Sequence, residues 1–458
     1  MMPKPSPLPP ETILERIRFT AEEFQRRRPD FKVKPFASFA RFMATAKNAR
    51  PEPFPGRFVL DITSTVSVDQ PTAVQRVELE LARAFAALAH EQNFGLSFVA
   101  YRDGHFVPYI MEDDQVMVKP FGFTVQEGDF QFRPGDAFLI VEMLSGDTEG
   151  FLNAVVDARK AGAVINLMIY DLVPLTHPHW VAEEFSLRAY SAFTAMLRIS
   201  HRLIAVSQKV AEDVACYLDI TTMRDAETVW PLPVAHFRLG CDALLRHRKP
   251  GTAVSFPAGP DVLLAAGTFK TRKGLLPLLE AMDRLWAEGN QTRLVLVGRD
   301  YLTNRTRTQM KTHPELGKRL FLAGYSADAE LAEALTQVSA MVIPAFDDGF
   351  GLPLVEAAAL GCPVVARDVP IYRETSGGDA FFFPDAGPAE MAEKLREFLA
   401  LPRKKQLKFV PRASLATWRQ SAQIMQAILL SSAMAFTVDV GVNASLRLLV
   451  PPVAKKPA

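Results

Sequence analysis

The sequence predicts an α/β protein built from two doubly wound halves, and three observations carry that expectation. Short, nearly continuous apolar runs alternate with helical patterns from Arg57 onward, as expected for parallel strands covered on both faces. The alternation stops in a polar stretch rich in Pro and Gly at residues 245–261 and then restarts, which reads as a linker. Finally, 458 residues exceed what one hydrophobic core usually organises and fit two or three domains.

Taken in chain order, residues 1–56 read as a helical, basic N-terminal extension. "ETILERIRFTAEEFQRRR" follows a Pro-rich entry and has the composition of a polar helix. "PFASFARFMATAKNAR" then sets Phe36, Phe39, Ala40 and Met43 on one helical face. The first 50 residues hold 11 Lys/Arg against 5 Asp/Glu, a net of +6. That charge beside a Phe stripe gives residues 31–50 two readings: a helix packed on the main body, the commoner use of such a stripe, or an anchor on an anionic membrane surface.

The first half, residues 57–250, has strand candidates "RFVLDI", "GLSFVAY", "DAFLIVEM", "GAVINLMIYD" and "RLIAVS", with helical "AVQRVELELARAFAALAHE" and "FLNAVVDARKAG" between them. The second half, residues 251–410, has strands "VLLAAG", "RLVLVG", "RLFLAG", "AMVIPA" and "PVVAR". Its helical stretches are "GLLPLLEAMDRLWAEG", "DAELAEALTQVS" and "PLVEAAAL". Residues 411–432 read as a closing helix and 433–458 as a tail. Ser421–Val438 is uncharged but short for a spanning helix and carries two Gln and three Ser, so packing is the better reading.

Composition excludes several classes. At 48% hydrophobic and 22% charged the chain is ordinary globular material. A formal net charge of +1 argues against a dedicated nucleic-acid binder. Three scattered cysteines suggest a reducing compartment and neither a disulfide framework nor a zinc site. The N-terminus lacks an apolar signal core, so the expected location is cytoplasmic, with residues 31–50 as the sharper, peripheral-membrane expectation.

In doubly wound folds ligands bind outside the carboxyl ends of the strands, and with two such domains the cleft between them is the natural site. Two loops at such ends carry the chemistry. After "AMVIPA" comes "DDGFGL", where Gly349 and Gly351 permit close backbone approach on either side of Phe350. Leu352 and Pro353 open a helix whose free N–H groups favour an anion or an oxygen-rich group. Asp348 at the mouth and Glu356 about one turn into the helix can accept hydrogen bonds from sugar hydroxyls. The other loop, "AAGTFKTRKGLL", places Gly267 and Thr268 before Arg272 and Lys273 at a helix start. Cations there oppose the helix dipole unless an anion is shared, which points to a diphosphate.

Other signatures are missing: the phosphate-binding Gly-x-x-x-x-Gly-Lys-Ser/Thr, the dinucleotide Gly-x-Gly-x-x-Gly after a strand, and any Asp-x-Asp pair for a metal-bound diphosphate. His177 and His179 lie two apart with no evident third ligand, so no metal site is expected.

Together "GTFKTRKG", "LVLVGRD" and "FLAGYSADAELAEALTQVSAMVIPAFDDGFGLPLVEAAALGCPVVARDVPIYRE" resemble the retaining glycosyltransferases of family 4. "TAVQRVELELARAF", "YDLVPLTHPHW" and "LIAVSQKVAEDV" match more loosely, and the resemblance spans roughly residues 57–430. It implies a GT-B fold, two Rossmann-like domains facing a central cleft, with a nucleotide-sugar donor on the second and a saccharide or lipid-linked saccharide acceptor on the first. It implies that Glu356 bonds ribose hydroxyls and Asp348 donor-sugar hydroxyls, near the N–H groups of Gly351 and Leu352. Arg272 and Lys273 would neutralise the leaving diphosphate, so neither metal nor cofactor is expected beyond the donor itself. The leaving phosphate would help deprotonate the acceptor on the same face, with no dedicated general base.

Three positions depart from the family pattern: Asp348 for Glu, Ala73 for Gly, and Tyr170 for His. The implied activity is transfer of a hexose, mannose or rhamnose favoured, in surface-polysaccharide assembly. The rival reading is a non-catalytic binding or scaffold protein on the same fold.

Overall fold

The computed structural model describes residues 10–27, 56–68, 72–111, 122–142, 147–224, 232–299, 304–412 and 415–431. The chain forms two compact units: Arg238–Ser421 is one, and the segments on either side of it make up the other.

The first unit holds an eight-stranded sheet in the order β4-β3-β2-β1-β5-β6-β7-β8. Its strands are β1 (Phe58–Asp61), β2 (Leu96–Arg102), β3 (His105–Met111), β4 (Phe123–Val125), β5 (Ala137–Ile140), β6 (Val164–Ile169), β7 (Arg202–Ala205) and β8 (Val234–His236). Six of them pair in parallel, and β1 and β5 are buried at every position, as the apolar runs Phe58–Leu60 and Ala137–Ile140 require, with the carboxyl of Asp61 buried at the end of β1. The parallel expectation fails at one edge, where β2–β3 and β3–β4 are antiparallel. The cause is local. Asp103 and Gly104 have φ of 47° and 94°, the pair of positive values that a two-residue hairpin turn demands.

Helices α1 (Pro10–Arg27), α2 (Ala73–Gln92), α3 (Thr148–Lys160), α4 (Glu183–Ile199) and α5 (Gln208–Arg224) belong to this unit. The N-terminal helix is not an appendage, because α1 buries Ile17, Ala21 and Phe24, the last against Cys216 and Ile220 of α5. Arg27 bridges to Asp219 at 3.0 Å, and Gln25 donates to the carbonyl of Thr176 at 3.2 Å. Phe36, Phe39 and Met43 lie outside the described residues, as does the tail from 433.

The second unit is fully parallel, in the order β11-β10-β9-β12-β13-β14. The strands are β9 (Val262–Ala266), β10 (Arg293–Val297), β11 (Leu320–Gly324), β12 (Ala340–Ile343), β13 (Val364–Arg367) and β14 (Phe381–Phe383). Helices α6 (Leu275–Ala287), α7 (Asp328–Leu335), α8 (Leu352–Ala359), α9 (Pro370–Ser376) and α10 (Pro388–Leu399) accompany them. Leu263, Leu278, Met282, Leu294, Val365 and Phe398 form its core.

The expected boundary near 250 and linker at 245–261 both fall inside this unit, which begins at Arg238. The segment is polar yet tied down: Ala243 and Leu244 are buried, Arg248 pairs with Glu333 at 3.4 Å, and the N–H of Ser255 donates to Glu330 at 2.7 Å. The closing helix is shorter than the expected 411–432. As α11 (Trp418–Leu430) it starts in the second unit, where the N–H of Trp418 donates to Asp242 at 2.8 Å. It ends in the first, where Arg202 donates to the carbonyls of Ile428 and Ser431 and so caps its C-terminus. Among the described residues no helix is long and apolar enough to cross a membrane.

Candidate functional site

In the second unit β9 lies between β10 and β12. Strand order therefore reverses at β9/β12, and this switch point is where an open α/β sheet leaves a crevice. The loops that follow these two strands are the two singled out in the sequence.

After β9 the chain passes through Gly267, Thr268 and Phe269 into a 3-10 turn at Thr271–Lys273. Gly274, at φ 67°, then caps α6. A Cβ on Gly274 would run into the carbonyl of Pro344, so glycine lets the two loops abut. They are stitched by backbone as well: the N–H of Phe346 donates to the carbonyl of Arg272 at 3.0 Å, and Arg272 Nη1 donates to that of Asp347 at 3.0 Å.

The main tie is charged. Lys273 Nζ lies 2.6 Å from Asp348 Oδ2 and Arg272 Nη1 3.8 Å from Oδ1. The N–H of Gly349 donates to Oδ1 at 3.1 Å, and the Tyr372 hydroxyl to Oδ2 at 3.4 Å. Burial pushes the Asp348 carboxyl up, but Lys273, Arg272 and the bonds from Lys273 and Gly349 outweigh it and hold it below the ordinary value. Arg272 and Lys273 therefore sit just before the helix rather than in its first turn, and their shared anion is already supplied by Asp348.

One pocket is lined by Gly267, Thr268, Phe269, Lys273, Asp348, Pro353 and Tyr372, among others. The structure thus brings Gly267, Thr268, Lys273 and Asp348 together, with Arg272 and Gly349 bonded behind them. Phe350, Leu352 and Glu356 are buried, at 5%, 7% and 5% exposure, and do not line this pocket. Glu356 lies close enough to Cys241 to add to the burial and the Asp242 charge that push its thiol up to about 11.

Gly351 has φ 83° and caps α8, and a Cβ there would meet Tyr372 Cε1 at 2.8 Å. Its freedom is spent on packing against an aromatic ring. Beneath the loop, Arg367 is fully buried; its Nε donates to the carbonyl of Pro344 at 2.9 Å and its guanidinium stacks 4.2 Å from the Phe346 ring. Tyr372 and Arg367 escaped the sequence reading because nothing in "VARDVPIYRE" marks them as facing the Gly-Phe-Gly loop.

The first unit has its own switch point at β1/β5, and a second polar group gathers there. Asp61 ends β1, Glu142 follows β5, Tyr170 follows β6, and Gln75 and Glu78 lie on the first turns of α2, which begins at Ala73. Gln75 donates to Glu142 at 3.1 Å and Ser64 to Glu78 at 2.5 Å. Burial raises the Asp61 pKa to about 7, with Thr63 pulling down and Glu142 pushing up. Glu78 is driven well above the ordinary range by burial and then by Asp61, and Tyr170 likewise by burial and then by Glu78 and Glu142. The available sequence signal was the pair Glu78 and Glu80 within the apolar stripe of "VELELARAF"; both are buried.

Residues 252–415, which include both loops of the second unit, match the family described as glycosyl transferases group 1. The serotype-specific mannosyltransferase WbdA of Escherichia coli is 28% identical over 390 residues, covering 81% of this chain and 44% of WbdA. This chain thus spans less than half the length of that relative. Among solved structures, sucrose-phosphate synthase from Thermosynechococcus elongatus aligns with a TM-score of 0.52 at 18% identity, over 81% of this chain and 98% of that one. Anabaena HepE in complex with UDP and glucose aligns with a TM-score of 0.50 at 15% identity, over 82% and 95%. The chain carries the two α/β units of the GT-B fold, and its second unit is similar to the group 1 glycosyl transferases.

Proposed function

We propose that the chain is a retaining glycosyltransferase that moves a hexose, with mannose favoured, from a nucleotide-diphosphate sugar to a saccharide or lipid-linked saccharide in surface-polysaccharide assembly. The observation that carries this reading is the convergence of Lys273, Arg272 and Asp348 where β9 and β12 end, against a pocket floored by Gly267 and Thr268.

Two cations beside a pocket can take a diphosphate, and the bonds they make strengthen as the sugar–phosphate bond breaks and charge gathers on the leaving oxygen. This supplies the leaving-group stabilisation without requiring a metal. Asp348 is held ionised, so it can accept hydrogen bonds from donor hydroxyls. HepE, crystallised with UDP and glucose, supports a nucleoside-diphosphate donor here, and the name of WbdA supports mannose.

A thermal-shift panel with UDP, GDP, dTDP, ADP and CMP, on wild type and Lys273→Ala, tests the donor site. One diphosphate should stabilise the wild type and lose its effect in the variant. NMR of the product formed from the matching α-linked donor should show the α-anomer retained. No response to any nucleotide, or stabilisation without release of nucleoside diphosphate, would favour the scaffold reading.

A further inference from the structure

We propose that Tyr372 is a positioning residue that takes over Asp348 when a ligand anion draws Lys273 away. This rests on the reading of the second unit as a nucleotide-sugar site. The geometry behind it is the sharing of one oxygen. Asp348 Oδ2 accepts from Lys273 at 2.6 Å and from the Tyr372 hydroxyl at 3.4 Å, a short charge-assisted bond and a long one.

The same ammonium lines the pocket, so a diphosphate seated there competes with Asp348 for it. If Lys273 swings to the diphosphate, Oδ2 loses its main donor while remaining in a site that is only 16% exposed. A carboxylate oxygen that loses its donor in so sheltered a site either finds another or makes the carboxyl easier to protonate. The other groups facing Asp348 are Arg272, 3.8 Å from the opposite oxygen, and the N–H of Gly349, also on that oxygen. Asp347 adds only negative charge nearby, acting on Tyr372. Tyr372 is therefore the donor that remains on Oδ2.

Tyr372 is fitted for this task. It is fully buried on α9, and its ring is wedged against Gly351, so the hydroxyl cannot swing away. Burial, then the charges of Asp348 and Asp347, push its pKa well above the ordinary value, so it keeps its proton at any working pH. A shift of several tenths of an ångström would bring 3.4 Å to a normal O–H···O⁻ distance.

Tyr372→Phe keeps the ring against Gly351 and removes only the hydroxyl. The test is calorimetry of UDP, GDP, dTDP and ADP binding at pH 6, in two buffers of different ionisation enthalpy, with the melting temperature of the free protein as a folding control. Proton uptake is counted relative to the wild type, whose binding exchanges only the protons that the diphosphate's own terminal phosphate gives up. Tyr372→Phe should bind roughly tenfold more weakly and take up a measurable fraction of a proton at Asp348, with a nearly unchanged melting temperature. Asp348→Asn should take up none, and Asp348→Asn/Tyr372→Phe should bind no more weakly than Asp348→Asn alone. Equal affinity and equal proton uptake in Tyr372→Phe and a binding wild type overturn this inference only. A wild type that binds none of the four overturns the donor-site reading and this inference with it.

Discussion

Lys273 Nζ and Asp348 Oδ2 lie 2.6 Å apart across two loops that are 75 residues apart in sequence. The cation expected to need a ligand anion already has a carboxylate of its own. On the proposed reading a diphosphate has to outcompete Asp348, so its binding would be an exchange of partners rather than simple neutralisation.

Lys273→Ala should consequently lose nucleoside-diphosphate stabilisation and lower the transfer rate by about 10²–10³-fold, the usual effect of deleting one preorganised charge-stabilising donor. Initial-rate kinetics on the donor identified by thermal shift check this. A rate within about threefold of wild type would remove Lys273 from the machinery.

At Gly351 a side chain faces two penalties, a φ of 83° and a Cβ placed 2.8 Å from Tyr372 Cε1. Gly351→Ala should destabilise the protein by about 2–4 kcal/mol, from the left-handed backbone and the overpacking together. Urea unfolding reads this directly; a loss below about 0.5 kcal/mol would mean that the ring yields at no cost.

Asp61 gives a pH dependence with a definite sign. Its carboxyl is pushed up to about 7 in the folded chain from an ordinary value of 3.8, mainly because it is buried. The folded state therefore holds a proton that the unfolded chain releases first. The stability this contributes is fully present below about pH 4 and is lost as pH rises through 7, on the order of 4 kcal/mol in all. Glu78, raised by burial and by Asp61, acts in the same direction. Asp61→Asn should flatten the fall in unfolding midpoint between pH 5 and 8, and matching slopes in variant and wild type would contradict the assignment.

Phe24 tests whether α1 is structural. It is 3% exposed and packs on Cys216 and Ile220. Phe24→Ala should cost about 3–5 kcal/mol, as for other buried Phe truncations. Deleting residues 1–56 should expose that surface to a hydrophobic dye. An unchanged melting temperature in either case would restore α1 to a mere extension.

Most of the strands were legible because parallel strands buried on both faces read as nearly continuous apolar runs, as "AFLI", "VLLAA" and "AMVI" are. The β2–β3 hairpin departs from the parallel expectation although "YRDGHF" holds the Asp-Gly turn, because apolar runs read alike in parallel and antiparallel strands and only the turn distinguishes them. The two loops that end β9 and β12 were legible from glycines and charge at strand ends. The partner of Lys273 was not, since no spacing rule links residues 75 apart.

The sequence by itself determined the alternation of strand and helix and the two loops rich in Gly and charge, and thereby the family resemblance. Those are local properties, written by periodicity and turn chemistry within a few residues. Only the tertiary structure decided which groups share a burial site. The strand order set β9 against β12 and β1 against β5, bringing Lys273 to Asp348 and Tyr372, and Asp61 to Glu78 and Glu142. The physical reason is that burial and charge act through space, so a carboxylate is held ionised at Asp348 and holds a proton at Asp61 according to the neighbours that the topology supplies.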